Sequence, residues 1–222
     1  MNLLCFQTVS GELEFAARRV VIAGFTGRNV EQARAHLSEL EQQGIPCPSQ
    51  IPAFYELHAG WLTQAESVPG VPGTASGEVE AVLIFRSDDL QDALVAVGSD
   101  LTDRKVEKRA IGEAKMLPKP ISRSAWLYRD HADEWDCIVL RSWVGPSGSD
   151  TVYQNGSLSE LLTPERLVHE LRDRINVALA GTVLFMGTVP LVNGAFSFVP
   201  QFRAELRAPN AATLFLEYTA RP

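Results

Sequence analysis

The chain has 222 residues, 45% hydrophobic and 21% charged, with a formal net charge of −7. That is an ordinary globular composition, long enough to bury a real core, and its acidic balance without a basic stripe excludes a general nucleic-acid binder. No apolar stretch approaches the ~20 residues of a membrane span; Met1–Phe15 lacks a basic start and is broken by Glu12 and Glu14, so no signal peptide is expected.

Cys5, Cys47 and Cys137 are widely separated and offer neither a disulfide framework nor a zinc spacing. The cytoplasm is the expected compartment. No internal repeat and no linker divides the sequence, so one domain over 1–222 is expected, with a strand segment at 1–20 and a core at 20–200.

Leu3–Val9 and Arg18–Ala23 read as strands joined by a turn at Ser10-Gly11. The second ends in the glycine-rich turn Gly24-Phe25-Thr26-Gly27-Arg28-Asn29, which lacks the dinucleotide-binding spacing and places Asn29 as an N-cap. Val30–Gln43 then predicts a helix with Val30, Ala33, Leu37 and Leu40 as its buried stripe, stopped by Gly44, Pro46 and Pro48. His36 and Glu39, three apart, are neighbours along that helix; a surface polar pair explains them as well as a functional one.

Residues 49–75 form a Pro-, Gly- and Ser-rich loop region with a short strand near Ala53–Leu57. From it emerges Gly77-Glu78-Val79-Glu80-Ala81-Val82-Leu83-Ile84-Phe85, a strand apolar on both faces. Residues i and i+2 of a strand point the same way, roughly 6–7 Å apart, so Glu78 and Glu80 aim two carboxylates at one spot. Two such charges repel, and a hard divalent cation is the simplest means of keeping both ionised; glutamates facing solvent at a strand end are the alternative. A second buried strand, Ala93–Val97, leads to Asp100, a third carboxylate at a strand end.

Asp103–Ala114 is helix-prone, Trp135–Val144 and Val152–Gln154 read as strands, and Asn155-Gly156-Ser157 as a break. Thr163 as N-cap with Pro164 at the first position opens a helix to about Ala180, its stripe Leu167, Leu171, Ile175 and Leu179. Strands at Val183–Met186, Ala204–Leu206 and Thr213–Thr219 close the chain, with a turn at Gly187-Thr188.

Several stretches, in order, resemble the fumarylacetoacetate hydrolase superfamily. Gly27-Arg28-Asn29 and His36-Leu37-Ser38-Glu39 resemble its early turn and its His-x-x-Glu helix. Pro52-Ala53-Phe54-Tyr55 is similar to its proline-aromatic segment, and Glu78-Val79-Glu80 to its metal-binding pair. Asp100-Leu101-Thr102-Asp103-Arg104 matches its Asp-x-Ser/Thr-x-Arg, and Lys115 before Pro118 and Pro120 stands where an active-site lysine is found. Tyr153-Gln154 resembles its Arg-Gln strand, and Gly181–Pro190 its C-terminal signature. The chain departs from the pattern in a longer Asn29–His36 spacing, in Glu56 for a lysine, in a compressed Asp100–Pro118 segment that makes Lys119 an alternative to Lys115, and in Thr182 for an aspartate.

The resemblance implies an α+β, mainly β architecture: a mixed β-roll or β-sandwich with two main helices, usually a homodimer. It implies Mg²⁺ or Mn²⁺, with Ca²⁺ as a substitute, held by Glu78, Glu80 and Asp100. His36, Glu39 and Lys115 take the catalytic roles, and Arg28, Arg104, Gln154 and Thr188 the substrate contacts. The implied activity is hydrolysis or lysis of a small 2-oxo or 1,3-dicarbonyl carboxylic acid through an enolate. A non-catalytic β-roll that binds a metal or a small acid is the alternative. Neither nucleic acid nor membrane is an expected partner.

Overall fold

A computed structural model describes residues 1–29, 31, 37, 47–146, 151–175 and 178–222. The chain is mainly β, built on two larger sheets. The first has six strands in the order Trp126–Leu127, Leu94–Ser99, Val79–Ile84, Thr182–Thr188, Arg19–Gly24 and Ala53–His58. Its neighbours run antiparallel except for Thr182–Thr188 beside Arg19–Gly24. The second has five strands, ordered Thr151–Ser157, Val139–Val144, Gln201–Arg207, Leu214–Arg221 and Ser67–Pro69.

Strand alternation distributes the core. Val79, Ala81 and Leu83 pack with Val95 and Val97 into the cluster that includes Leu140, Phe202, Ala204, Leu206 and Tyr218 of the second sheet. Val82, Ile84, Leu94, Ala96, Val183 and Phe185 face the other way, against Leu4, Phe6, Phe15 and Ala17 of the hairpin Asn2–Thr8/Gly11–Ala17. Strands buried on both faces need continuous apolar runs, which Val79–Ile84 and Leu94–Ser99 supply; every residue in them is buried.

The helix Pro164–Arg174 begins as its sequence dictates, with the Thr163 side chain accepting from the Arg166 N–H and Pro164 in the first turn. It stops at Arg174, short of Ala180. The region 104–114 forms two single-turn helices, Arg104–Glu107 and Ile111–Ala114, separated by a break at Ala110. The helix expected over Val30–Gln43 lies almost wholly outside the described residues, as do His36 and Glu39.

Other expectations need correction. Gly11–Ala17 is a strand, so Ser10-Gly11 turns a hairpin rather than linking directly to Arg19–Gly24. Ala132–Cys137 is a 3₁₀ helix, and the strand begins at Val139. Asn155-Gly156-Ser157 continues its strand, because Gly156 pairs with Leu140 and has no room for a side chain beside Val189. Gly187 and Thr188 end a strand rather than forming a separate turn. Among the described residues no helix is long and apolar enough to cross a membrane.

Candidate active site

Glu80 lies in the strand Val79–Ile84, with Glu78 just before it. Antiparallel pairing sets Val79 against Ser99 and Glu80 against Gly98, and the Asp100 N–H donates to the Glu78 carbonyl at 3.0 Å. The register therefore brings the third acidic residue alongside the first. Thr102–Asp103 then pairs with Ala75–Ser76 and carries Arg104 back toward Glu78.

Three cations meet these carboxylates. Arg104 is buried and extends its guanidinium to Glu78 at 2.7 Å, to both oxygens of Glu107 at 3.0 and 2.9 Å, and to Ser76 Oγ at 2.8 Å. The Phe196 ring covers it, with the guanidinium carbon 4.1 Å from the ring centre. Lys115, at the end of Ile111–Ala114, donates to Asp100 Oδ2. Lys119 Nζ lies 3.2 Å from Asp100 Oδ1 and donates to the carbonyls of Leu101 and Leu117 at 2.8 and 3.0 Å. Both the Lys119 and the Asp100 side chains are fully buried.

The titration tendencies follow from that packing. Burial first, then the Asp100 charge, pushes Glu80 well above the usual carboxylate range. Burial opposes ionisation of Asp100 too, but Lys115 and Lys119 outweigh it and hold the carboxyl below its ordinary range. Burial lowers Lys119 to about 8 despite Asp100. Lys115 moves the other way: burial disfavours its charge, yet Asp100, Glu78 and Glu80 together raise it.

Among the described residues, no three His, Cys, Asp or Glu side chains stand as a ready-made metal-ligand set. Glu78 pairs with Arg104, and Asp100 is held by the two lysines. The chemistry of the spot nevertheless fits a cation. One ammonium, that of Lys115, bonds Asp100 and is stabilised by both glutamates, so it stands in for a positive ion among oxygen donors. Glu80, which among the described residues has the Gly187 N–H rather than an ammonium at bonding distance, has its carboxyl pushed upward by burial. Oxygen-only donors of this kind suit a hard divalent ion such as Mg²⁺ or Mn²⁺.

The other expected site residues divide. Gln154 is fully buried; its Oε1 accepts from Val79 N at 2.9 Å and Ser142 Oγ at 3.0 Å, while Nε2 donates to Thr188 Oγ1 and the Val189 carbonyl at 2.7 and 2.8 Å. Thr188 Oγ1 in turn donates to the Val79 carbonyl at 2.6 Å. Both residues are thus occupied in holding the Glu80 strand. Arg28 is paired with Asp136 at 2.7 Å and with the Leu161 carbonyl at 2.9 Å, apart from the carboxylates. Glu107 and Phe196 were not anticipated. Glu107 stands three residues after Arg104 on a helical turn, a legible pairing; Phe196 lies in an irregular loop, and no local pattern marks it.

The Gly187 N–H donates to Glu80 Oε2 at 2.7 Å. It can do so because Gly187 has a φ of +91°, and a Cβ there would lie 2.0 Å from Thr26 Oγ1. Tyr55, on Ala53–His58, places its ring 5.7 Å from the Lys115 ammonium.

Comparison with solved structures identifies the fold. A candidate fumarylpyruvate hydrolase from Burkholderia cenocepacia superposes with a TM-score of 0.67 at 20% identity, covering 100% of this chain and 94% of its own. A candidate fumarylacetoacetate isomerase/hydrolase from Oleispira antarctica gives 0.68 at 19% identity, covering 97% and 99%. The 5-carboxymethyl-2-hydroxymuconate delta-isomerase from Mycobacterium smegmatis gives 0.64 at 16%, covering 100% of both chains. A search of curated proteins finds no match. The fold is shared with these fumarylacetoacetate hydrolase-type proteins, at low sequence identity. Residues 23–218 match the model of the family described as "Protein of unknown function (DUF2848)", and the chain belongs to that family.

Proposed function

We propose that the chain is a divalent-metal-dependent hydrolase or lyase acting on a small 2-oxo or 1,3-dicarbonyl carboxylic acid. The observation that carries this reading is that a single ammonium, Lys115, bonds Asp100 and is further stabilised by the nearby charges of Glu78 and Glu80. The shared fold with proteins described as hydrolases and an isomerase supports it.

Glu78, Glu80 and Asp100 would hold Mg²⁺ or Mn²⁺, which supplies fixed positive charge to a bound oxo acid and to the negative charge that develops as a C–C bond breaks. The chain's own groups do the rest. Lys115 and Arg104 offset anionic charge of the substrate from within a buried, weakly screened site. The Gly187 amide and the Gln154–Thr188 tie keep the Glu80 strand in place, so their role is to position. His36, with Glu39 to orient it, would be the base that takes a proton from water. Arg28 would contribute to substrate binding only by exchanging its pairing with Asp136. Action as a homodimer, in the cytoplasm, belongs to the same proposal.

A second reading, a β-roll that binds a metal or a small acid without turnover, is favoured by one observation: the hydrogen-bonding groups of Gln154 and Thr188 are already taken. One experiment separates the two. The purified protein is incubated with a panel of 2-oxo and 1,3-dicarbonyl acids with Mg²⁺ or Mn²⁺, and again with a chelator. Metal-dependent consumption of one acid supports the enzyme, and tight metal uptake with no turnover across the panel supports the binding module. Turnover indifferent to the chelator would sink the metal-dependent reading.

A further inference from the structure

We propose that Lys115 is an internal competitor for the cation site: its ammonium serves as counter-ion in the metal-free protein and is evicted when a divalent cation loads. The inference rests on the metal-dependent reading above and adds a step to it, an exchange of one cation for another.

The two lysines on Asp100 are not equivalent. Lys119 is fully buried and anchored by the Leu101 and Leu117 carbonyls as well as by Asp100, so it has no freedom to leave. Lys115 hangs from the end of a single-turn helix, and its ammonium bonds Asp100 Oδ2, among the described residues, without a second anchor of that kind. A lysine stem is long and flexible. The Tyr55 ring, 5.7 Å from the ammonium, offers a cation–π resting place.

Charge decides which cation wins. A divalent ion at a given distance from a carboxylate gains twice the Coulomb energy of an ammonium. It prevails at saturation, but every binding event must first free the site. The apparent dissociation constant is then the intrinsic one divided by the fraction of protein whose site is open. With roughly one molecule in ten open, removing the competitor tightens apparent binding about tenfold. Once evicted, Lys115 is released to face the substrate, so metal loading and readiness of the lysine become one event.

The wild-type protein supplies the first test. Brief acylation with an amine reagent, followed by peptide mass spectrometry, reads the accessibility of Lys115 with and without Mg²⁺ at constant ionic strength; Lys119 is the internal control. Loading should raise Lys115 labelling several-fold and leave Lys119 unmodified. Titration calorimetry with Mg²⁺ on Lys115→Met and Lys115→Gln supplies the second, both binding about tenfold more tightly than wild type. Folding of a variant only when Mg²⁺ is present would be the same result in stronger form. Unchanged or lower Lys115 labelling on loading, or wild-type affinity in both variants, overturns the exchange while leaving the metal site standing. If the wild type and both variants take up no divalent ion, the metal-dependent reading itself fails, and this inference with it. Should neither variant fold under any condition, the labelling result alone decides.

Discussion

The amide of Gly187 and the carboxylate of Glu80 are joined by a 2.7 Å hydrogen bond that only glycine can make at this position. The backbone there has φ +91°, and an added methyl would collide with Thr26 Oγ1. Gly187→Ala combines left-handed strain with that collision, for a loss of about 3 kcal/mol. At roughly 2–4 °C per kcal/mol for a chain of this size, the melting temperature should fall by about 6–12 °C. Thr26→Ala removes the colliding hydroxyl and should recover part of the loss in the double variant. No recovery would show that strain alone, and not the Thr26 contact, excludes a side chain.

Gln154 offers a second lever on the same strand. Its amide satisfies Val79 N, Ser142 Oγ, Thr188 Oγ1 and the Val189 carbonyl, all in the interior. Gln154→Leu fills the volume but takes that partner from the Val79 N–H, the Ser142 hydroxyl and the Val189 carbonyl, while Thr188 Oγ1 keeps the Val79 carbonyl. Each loss costs about 1–3 kcal/mol where no water replaces it. Denaturant unfolding should show a loss of at least about 3 kcal/mol with an unchanged slope. A loss below ~1 kcal/mol would mean that water or a neighbour takes over its partners.

The strands that carry the acidic residues were legible in the sequence, for reasons that particular residues make plain. Val79–Ile84 was readable as a strand because a buried run of that composition can hardly be anything else. Glu78 stands just before it and pairs with Arg104, so the i, i+2 rule does not by itself set where its carboxylate goes. The Thr163-Pro164 start was readable because capping is local chemistry. What could not be read is set by distant pairing. Arg104 reaches Glu78 only because Thr102–Asp103 pairs with Ala75–Ser76, and no local pattern announces that bridge. Gln154 looked like a substrate donor because its type permits it; its partners lie 12 to 75 residues away in sequence and consume every hydrogen-bonding group. The hairpin strand Gly11–Ala17 was missed because glutamates alternate with its apolar residues, which is the mark of a strand with one solvated face.

Glu80→Gln separates metal binding from folding. The Gln amide oxygen can still accept from Gly187 N, and burial already disfavours the charge of the native carboxyl. Stability without metal should therefore stay within about 1 kcal/mol of wild type. Affinity for Mg²⁺ should fall at least about tenfold, because one anionic oxygen ligand has become neutral. Differential scanning calorimetry with and without Mg²⁺ gives both values: the variant should keep its metal-free melting temperature and lose the metal-dependent rise. A variant that melts far below wild type without metal would place Glu80 in the structural framework as a charge.

Arg104 tests how the metal-free arrangement of Glu78 is maintained. Its planar guanidinium serves Glu78, Glu107 and Ser76 at once beneath the Phe196 ring, a geometry that a point charge cannot reproduce. Arg104→Ala strands two carboxylates near one another in a largely buried setting, at a cost of about 3–5 kcal/mol. Arg104→Lys keeps the charge but can serve only one or two of the three partners, so about 1–3 kcal/mol should be lost. The Glu78→Gln change in each background completes a double-mutant cycle. Coupling with Arg104 should exceed about 1 kcal/mol and shrink markedly when lysine replaces the arginine. Added salt should weaken it little, since Arg104 is 7% exposed and Glu78 17%, and a buried pair is poorly screened. Phe196→Ala opens that cover: the same coupling should then become salt-sensitive, with a stability loss of about 1 kcal/mol from the missing cation–π contact. A coupling near zero in wild type would mean that Glu78 is not held by Arg104 in solution and is already free to turn toward Asp100 and Glu80.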